Sequence, residues 1–428
     1  MLLRFGVENY LSIFERQELS FVATSLKDDD RFLIRTDLAP SGCLVPIAII
    51  YGANASGKSN LLAAMQFMQQ AVLASHVLGT PGSGVPRQGF ALSDIAAARP
   101  TIVDIDFVVE GVRYHFGFEA TNQAFIREWL YAFPSGRRQM LYERSGEKEI
   151  TFGRSLKGRN RVIADLMREN SLFISTAIQN NHEELKRISG FFRSIVFNNV
   201  MVVPGAVISA QFKDVEVDQR AIGFLKKIGT GIVGFKRVER HKTDQELTIA
   251  KDMATLLKKL NPEVPEAQIN KYFSEMAVSI NLAHKGDKGE EVFFDPDAES
   301  AGTRRLLILV SSIFKALDSG SLIVVDELDA SLHTQICEAL IAMFSNSEKN
   351  PKGAQLIATT HDTNLMRSSI LRRDQIWFTE KDEKGASHLF PLSDVQTRRT
   401  DNIEKGYLQG RFGAIPFAGP VTTLFGRQ

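Results

Sequence analysis

Ile47-Ala48-Ile49-Ile50-Tyr51 runs straight into Gly52-Ala53-Asn54-Ala55-Ser56-Gly57-Lys58-Ser59, and this stretch decides how the chain is read. The apolar run predicts a strand buried on both faces, and the segment after it has the glycine and lysine spacing of a phosphate-binding loop. Gly52 and Gly57 let the backbone wrap so that successive N–H groups face one point. Lys58 adds a point charge there, and the Ser59 hydroxyl suits Mg²⁺. Leu61, Leu62, Met65 and Met68 predict a helix that begins at Lys58 and directs its positive end at the same point. The implied ligand is a nucleoside triphosphate, ATP, bound with Mg²⁺. Its candidate contacts are Gly52, Asn54, Ala55, Ser56, Gly57, Lys58, Ser59 and Asn60. An ordinary glycine turn is the alternative, and the strand before and helix after the loop argue against it.

The 428 residues are 44% hydrophobic and 24% charged, enough for a large core in two or three lobes. A net charge of +1 gives no global field to hold the chain on nucleic acid or a membrane, so such a contact needs a local patch. With Cys43 and Cys337 alone there is no disulfide framework and no cysteine metal site, which fits a reducing cytoplasm. No basic segment followed by a long apolar stretch opens the sequence, and apolar runs such as 306–310 are too short to span a bilayer. A cytoplasmic location without membrane contact is expected.

Leu3, Phe5 and Val7 alternate as a strand, and residues 101–152 carry several alternating segments that predict an antiparallel β-meander. Residues 160–170 are expected to form a short helix and 172–178 a buried strand. From 183 to 298 the pattern mixes helical stretches (183–192, 219–228, 250–260, 266–276) with a hairpin near 286–289. No sustained heptad runs through them, which excludes a long coiled-coil arm. The remainder returns to strand and helix alternation. The expected division is an N-terminal lobe over 1–200, a helical or arm insertion over 201–298 and a C-terminal lobe over 299–428.

A second buried strand, Leu322-Ile323-Val324-Val325, delivers Asp326 and Glu327 to its end. Phosphoryl transfer needs positioning and charge neutralisation more than covalent chemistry. Asp326 is therefore expected to hold Mg²⁺, and Glu327 to orient and deprotonate the attacking water. Lys58 and Asp326 lie 268 positions apart (326 − 58), far more than in RecA-like or AAA-plus ATPases. On this spacing, and on Phe5-Gly6-Val7-Glu8-Asn9-Tyr10-Leu11-Ser12-Ile13, the sequence resembles the ABC-type ATPase heads of the SMC, RecF and OLD-like proteins. The expected fold class is α/β: an ABC-type P-loop ATPase head with an antiparallel β-subdomain and a mostly helical insertion.

The resemblance implies further positions. Glu299-Ser300-Ala301-Gly302-Thr303-Arg304-Arg305, before a helix expected over 304–317, stands where that group carries its signature motif. Ser300, Gly302 and Thr303 would contact the γ-phosphate of ATP held by the opposite subunit; a plain helix N-cap is the alternative. Ala330-Ser331-Leu332-His333 stands at the D-loop position, or forms a surface turn. His361, after Gln355-Leu356-Ile357-Ala358-Thr359-Thr360, resembles the switch histidine, although a lone histidine after a strand is usually structural. Gln179 is the candidate Q-loop glutamine and a further Mg²⁺ contact. Residues 372–378 and 406–416 resemble bacterial AAA-type proteins of the abortive-infection and phage-defence systems, such as the Rlo and Abi types.

Function follows as an expectation: an ATPase that forms a homodimer or higher homo-oligomer through an ATP sandwich. Its place would be in an anti-phage defence system, as the sensor of a separately encoded effector such as a Toprim nuclease. Only positions 362–428 follow His361, too few for that nuclease domain. The alternative is a RecF/SMC-like DNA repair or maintenance clamp. For that, Arg137, Arg138, Arg144, Lys148, Arg154, Lys157, Arg159 and Arg161 offer a nucleic-acid patch, or else an ordinary solvated loop face.

Overall fold

Ile47–Gly52 is buried at every position and has a neighbour on each edge. The computed structural model describes residues 1–146, 149–198, 218–239, 278–367, 370–398 and 401–414, with positions 248, 251 and 255. The helix expected over 266–276 lies outside the described residues, as does that over 250–260 except at positions 251 and 255, which are helical. The described chain divides into two compact units: 1–199 with 316–329 and 333–428, and 200–315 with 330–332.

In the first unit a six-stranded sheet runs in the order Val196–Asn198, Leu322–Val325, Gln355–Thr359, Ile47–Gly52, Ile376–Lys381, Ser387–Pro391. The first five strands are mutually parallel and only the last pair is antiparallel. Parallel strands are covered on both faces, which is why these segments are unbroken apolar runs rather than alternating ones. The register sets Thr359 opposite Ile50 and Thr379 opposite Gly52.

The meander forms a second, antiparallel sheet in the same unit. Its order is Glu149–Phe152, Gln139–Ser145, Phe125–Phe133, Val112–Ala120, Thr101–Val109, Leu2–Glu8, Gln17–Ser20. Inward side chains such as Phe5, Ile105 and Phe116 join Leu61, Met65 and Phe67 of the Lys58–Leu78 helix, and Ile50, Val324 and Ile357 of the parallel sheet, in one buried cluster. That helix has the length and hydropathy of a membrane span, yet its apolar face lies in this core.

The second unit holds the Gln219–Lys227 helix and a three-stranded antiparallel sheet, Ile232–Glu239, Val278–Lys285, Glu291–Phe294. The hairpin expected near 286–289 joins its last two strands. The Ala301–Ser319 helix crosses the division between the units at Lys315.

One expected element is of the wrong type: residues 172–178 form a helix, Phe173–Gln179, not a strand. A short apolar run cannot be assigned to a buried helix or a buried strand by periodicity alone. Here a distant carboxylate selects the helix. Glu128, fully buried, accepts the N–H groups of Phe173 at 2.6 Å and Ile174 at 3.1 Å, two of the donors a helix start leaves unpaired. It also accepts the Tyr142 hydroxyl at 2.7 Å. Burial raises the Glu128 pKa above the usual carboxylate value, while Arg144, Tyr142 and the two N–H groups draw it back. Glu128→Ala removes the partner of a buried cation and two helix donors, and should cost about 3–5 kcal/mol in denaturant unfolding. An unchanged unfolding midpoint would refute this account of the helix.

Candidate nucleotide site

The phosphate loop is shaped by its neighbours as much as by its glycines. A Cβ on Gly52 would collide with the backbone oxygen of Thr379 and approach Ser56 Oγ to 2.6 Å; one on Gly57, at φ +110°, would collide with Ser387 Oγ. Ser56 Oγ and Thr379 Oγ1 share a hydrogen bond of 2.6 Å, and Ser387 donates to the Ser56 carbonyl at 2.6 Å. Asn60 donates to Ser12 Oγ at 2.6 Å, and Ser12 Oγ lies 2.7 Å from Ser387 Oγ. Ser12, Thr379 and Ser387, none of them singled out by the motif, thus brace the loop from three separate segments.

Asn54, Ala55 and Ser59 are exposed at the crest, with Ala55 in the left-handed region at φ 63°. The helix that follows has no side-chain cap, and among the described residues the N–H groups of Gly57, Lys58 and Ser59 have no protein acceptor. Uncapped N–H groups at the start of a 21-residue helix form an anion site. Lys58 is 6% exposed and donates to the carbonyls of Gly52 at 2.8 Å and Ala53 at 3.1 Å. Burial lowers its pKa from the ordinary lysine value, and the charges that oppose this are Asp326, Glu327 and Asp329. The electrostatics therefore bring the two motifs together across the sheet.

Three strands deliver their residues at their C-terminal ends, the edge at which open parallel sheets bind ligands. Thr359, fully buried, donates to Asp326 Oδ1 at 2.6 Å and accepts the Glu327 N–H at 2.7 Å. One hydroxyl thus orients the proposed metal ligand and the backbone of the proposed base. Glu327 is exposed and left-handed, at φ 52°, a conformation uncommon for a residue other than glycine. Asp329 accepts the Thr360 hydroxyl at 2.7 Å and the His361 N–H at 3.2 Å, which leaves the His361 side chain exposed at the sheet edge. An oxygen-only donor set of Ser59 hydroxyl and Asp326 carboxylate fits Mg²⁺, which takes one or two protein oxygens and fills its other positions with water and phosphate.

Gln179 lies on a helix and not at a strand end of this sheet. It is exposed at the C-terminal end of the Phe173–Gln179 helix, so the strand end that motivated its choice is absent. The strand beside Leu322–Val325 is Val196–Asn198, and its Asn198 carbonyl accepts the Asp326 N–H at 3.4 Å. The apolar run 195–197 ending in asparagine was the available signal. Arg144 likewise leaves the basic patch: it is 1% exposed and donates to the carbonyls of Ser171 at 2.7 Å and Glu169 at 3.2 Å. Lys148 lies outside the described residues, while Arg154, Lys157, Arg159 and Arg161 are exposed.

The signature residues belong to the second unit. Its helix starts at Ala301, three residues before the expected start, so Ser300 directly precedes it. Ser300 Oγ accepts the Thr303 N–H at 3.1 Å and lies 2.8 Å from Thr303 Oγ1. The N-cap is thus formed, and the same exposed hydroxyls remain at a helix start. A Cβ on Gly302 would stand 3.2 Å from Ser331, and Arg305 donates to the Ala330 carbonyl at 2.5 Å, which packs the D-loop segment against the signature turn.

A parallel sheet that carries a phosphate loop, two strand-end carboxylates and a histidine along one edge, beside an antiparallel sheet, is the fold of an ABC-type P-loop ATPase. The chain belongs to the family described as "AAA domain, putative AbiEii toxin, Type IV TA system", which it matches over residues 47–190 and 208–367. No curated protein matches it in sequence. Among solved structures, the SMC head domain from Thermotoga maritima is 15% identical, with 92% of this chain and 99% of that one covered, at a TM-score of 0.38. An SmcHead bound to the C-winged helix domain of ScpA gives 15% identity, 91% and 97% coverage, and a TM-score of 0.38.

If Thr359 positions both acids, Thr359→Val, which keeps the shape and loses the hydroxyl, should lower ATP turnover about 10–100-fold, as loss of an orienting partner does. Thr359→Ser should retain most of it. Equal steady-state rates for Thr359→Val and the natural protein would remove Thr359 from the site.

Proposed function

We propose that this chain is an ATP-hydrolysing switch that closes as a homodimer or higher homo-oligomer and controls a separately encoded effector in an anti-phage, abortive-infection system. The observation that carries the reading is the division of the phosphate-directed groups. Lys58, Ser59, Asp326, Glu327 and His361 lie in one unit, and Ser300, Gly302 and Thr303 in the other. A second copy would supply the second set to the first. The AbiEii toxin and Type IV TA system named in the family description support a place in such a system.

On nucleotide binding, Lys58 exchanges the carbonyls of Gly52 and Ala53 for phosphate oxygens, and the N–H groups of Gly57, Lys58 and Ser59 gain acceptors. Bound Mg²⁺, held by Ser59 and Asp326, would neutralise phosphate charge. Glu327 takes a proton from the attacking water, and His361 stands by the terminal phosphate. Ser300 and Thr303 of the second copy complete the site through hydroxyls and a helix start. Release of phosphate removes the ligand that joins the copies, so assembly follows the nucleotide state. The effector would be a nuclease of the Toprim type. A RecF/SMC-like clamp would use the same nucleotide chemistry with DNA as its output.

Glu327→Gln should lower turnover about 10²–10⁴-fold, the range of general-base catalysis. Light scattering with ATP should then show a persistent dimer where the natural protein returns to monomer. Turnover at the natural rate would remove Glu327 as the base, and a monomer under saturating ATP would overturn the sandwich. Purification with the products of neighbouring genes separates the outputs. A co-purifying effector supports the defence reading; ATP-dependent, salt-sensitive DNA binding by the chain alone supports the clamp.

A further inference from the structure

A cavity of about 330 Å³ opens beside the C-terminal half of the Lys58–Leu78 helix, remote in sequence from the phosphate loop at its other end. Its floor is Phe67 and Phe125, both buried, and one wall is the small-residue face Ala71, Ala74, Ser75 and Gly79. Ser83, Gly84 and Pro86 form the opposite wall. Among the described residues that line it, none carries a charge.

The cavity is preformed. Asn170, 3% exposed, pins the 80–84 loop by donating to the Thr80 carbonyl at 2.7 Å and to Ser83 Oγ at 3.1 Å. The Val85 N–H continues the wall with a bond to the Asn122 carbonyl at 2.9 Å. Leu78, 70% exposed, lines the cavity at the helix end. Pockets of roughly 300 Å³ and above with apolar linings are the usual form of small-molecule sites, and an apolar cavity takes apolar guests in preference to water.

Phe67 links this cavity to the nucleotide loop. Its ring packs edge-to-face on Phe118, which packs in turn on Phe125, at centroid distances of 5.7 and 5.3 Å. It also stacks on Tyr10 at 5.3 Å. Tyr10 belongs to the turn whose Ser12 accepts from Asn60, in the first turn of the phosphate-loop helix. The floor of the cavity and the brace of the loop therefore meet at one ring.

We propose that this cavity is a regulatory site for a small, uncharged, apolar molecule of aromatic size, and that its occupancy alters nucleotide affinity through Phe67. The site stands on the cavity alone; the coupling rests on ATP binding at Gly52–Ser59. The test is calorimetric titration of the full chain with indole, then with ATP in the absence and presence of saturating indole. The natural protein should bind one indole per chain, and indole should shift ATP affinity about fivefold or more, the lower range of measured coupling. Ala74→Phe, which fills the cavity, should weaken indole at least tenfold. Gln70→Trp, at an exposed lining position, should do the same if Ala74→Phe fails to fold. Tyr10→Leu, which removes the ring stacked on Phe67 without touching the cavity lining, should keep indole binding and lose the shift in ATP affinity. No indole binding, or equal binding by both cavity variants, overturns the site. Indole binding with unchanged ATP affinity overturns the coupling. Absence of any ATP binding overturns the nucleotide reading instead, and the indole titration still decides the cavity.

Discussion

A strand buried on both faces must satisfy every backbone N–H and C=O through neighbours, because water cannot reach it. Ile47–Gly52 meets this constraint by pairing with Gln355–Thr359 on one edge and Ile376–Lys381 on the other. Both partners lie some three hundred positions downstream. The strand that leads into the phosphate loop is therefore completed only by distant C-terminal strands, and apart from Val196–Asn198 and Leu322–Val325 the described chain between them is looped out of the sheet. The antiparallel meander and the second unit are such excursions. Thr379 and Ser387, which brace the loop, arrive with the same strands.

The same closure concentrates charge. Lys58 is drawn into a buried position where desolvation disfavours its ammonium, and three carboxylates offset only part of that cost. Without nucleotide the ammonium rests on loop carbonyls, which are weaker partners than phosphate oxygens. The loop is thus folded around a cation whose best partner is a ligand. Two buried hydroxyls perform the matching task for the acids. Thr359 orients Asp326 and Glu327, and Thr360 ties Asp329 beside His361.

How much of this was legible in the sequence depended on the range of the interaction that fixes each element. The phosphate loop, the Leu322–Val325 strand with its two acids, and the meander were all readable, because alternation, apolar runs and glycine spacing are local. Residues 172–178 were misread because their helix is selected by Glu128, a carboxylate on a meander strand. The strand end that singled out Gln179 is absent for the same reason. Arg144 looked like one more surface cation among many, yet it is consumed by the carbonyls of 169 and 171. Thr359 lay in plain view inside a quoted motif. Nothing local marked its hydroxyl as the bridge between two acids on a neighbouring strand.

The division of the chain into two units bears on how a nucleotide signal would travel. Asp329, which holds the His361 N–H, belongs to the first unit, and the next residue, Ala330, to the second. Within that second unit Ala330 accepts from Arg305 and Ser331 lies against Gly302. A single peptide bond therefore separates the carboxylate that accepts the His361 N–H from the segment that packs on the turn at 300–303. Ser331 holds a left-handed φ of 63° and Glu327 one of 52°, so the connecting loop is bent at two non-glycine positions. Such conformations persist only where surrounding contacts impose them, and they concentrate where a loop must change shape. A shift of Asp329 therefore has a short covalent path to the turn that carries Ser300, Gly302 and Thr303.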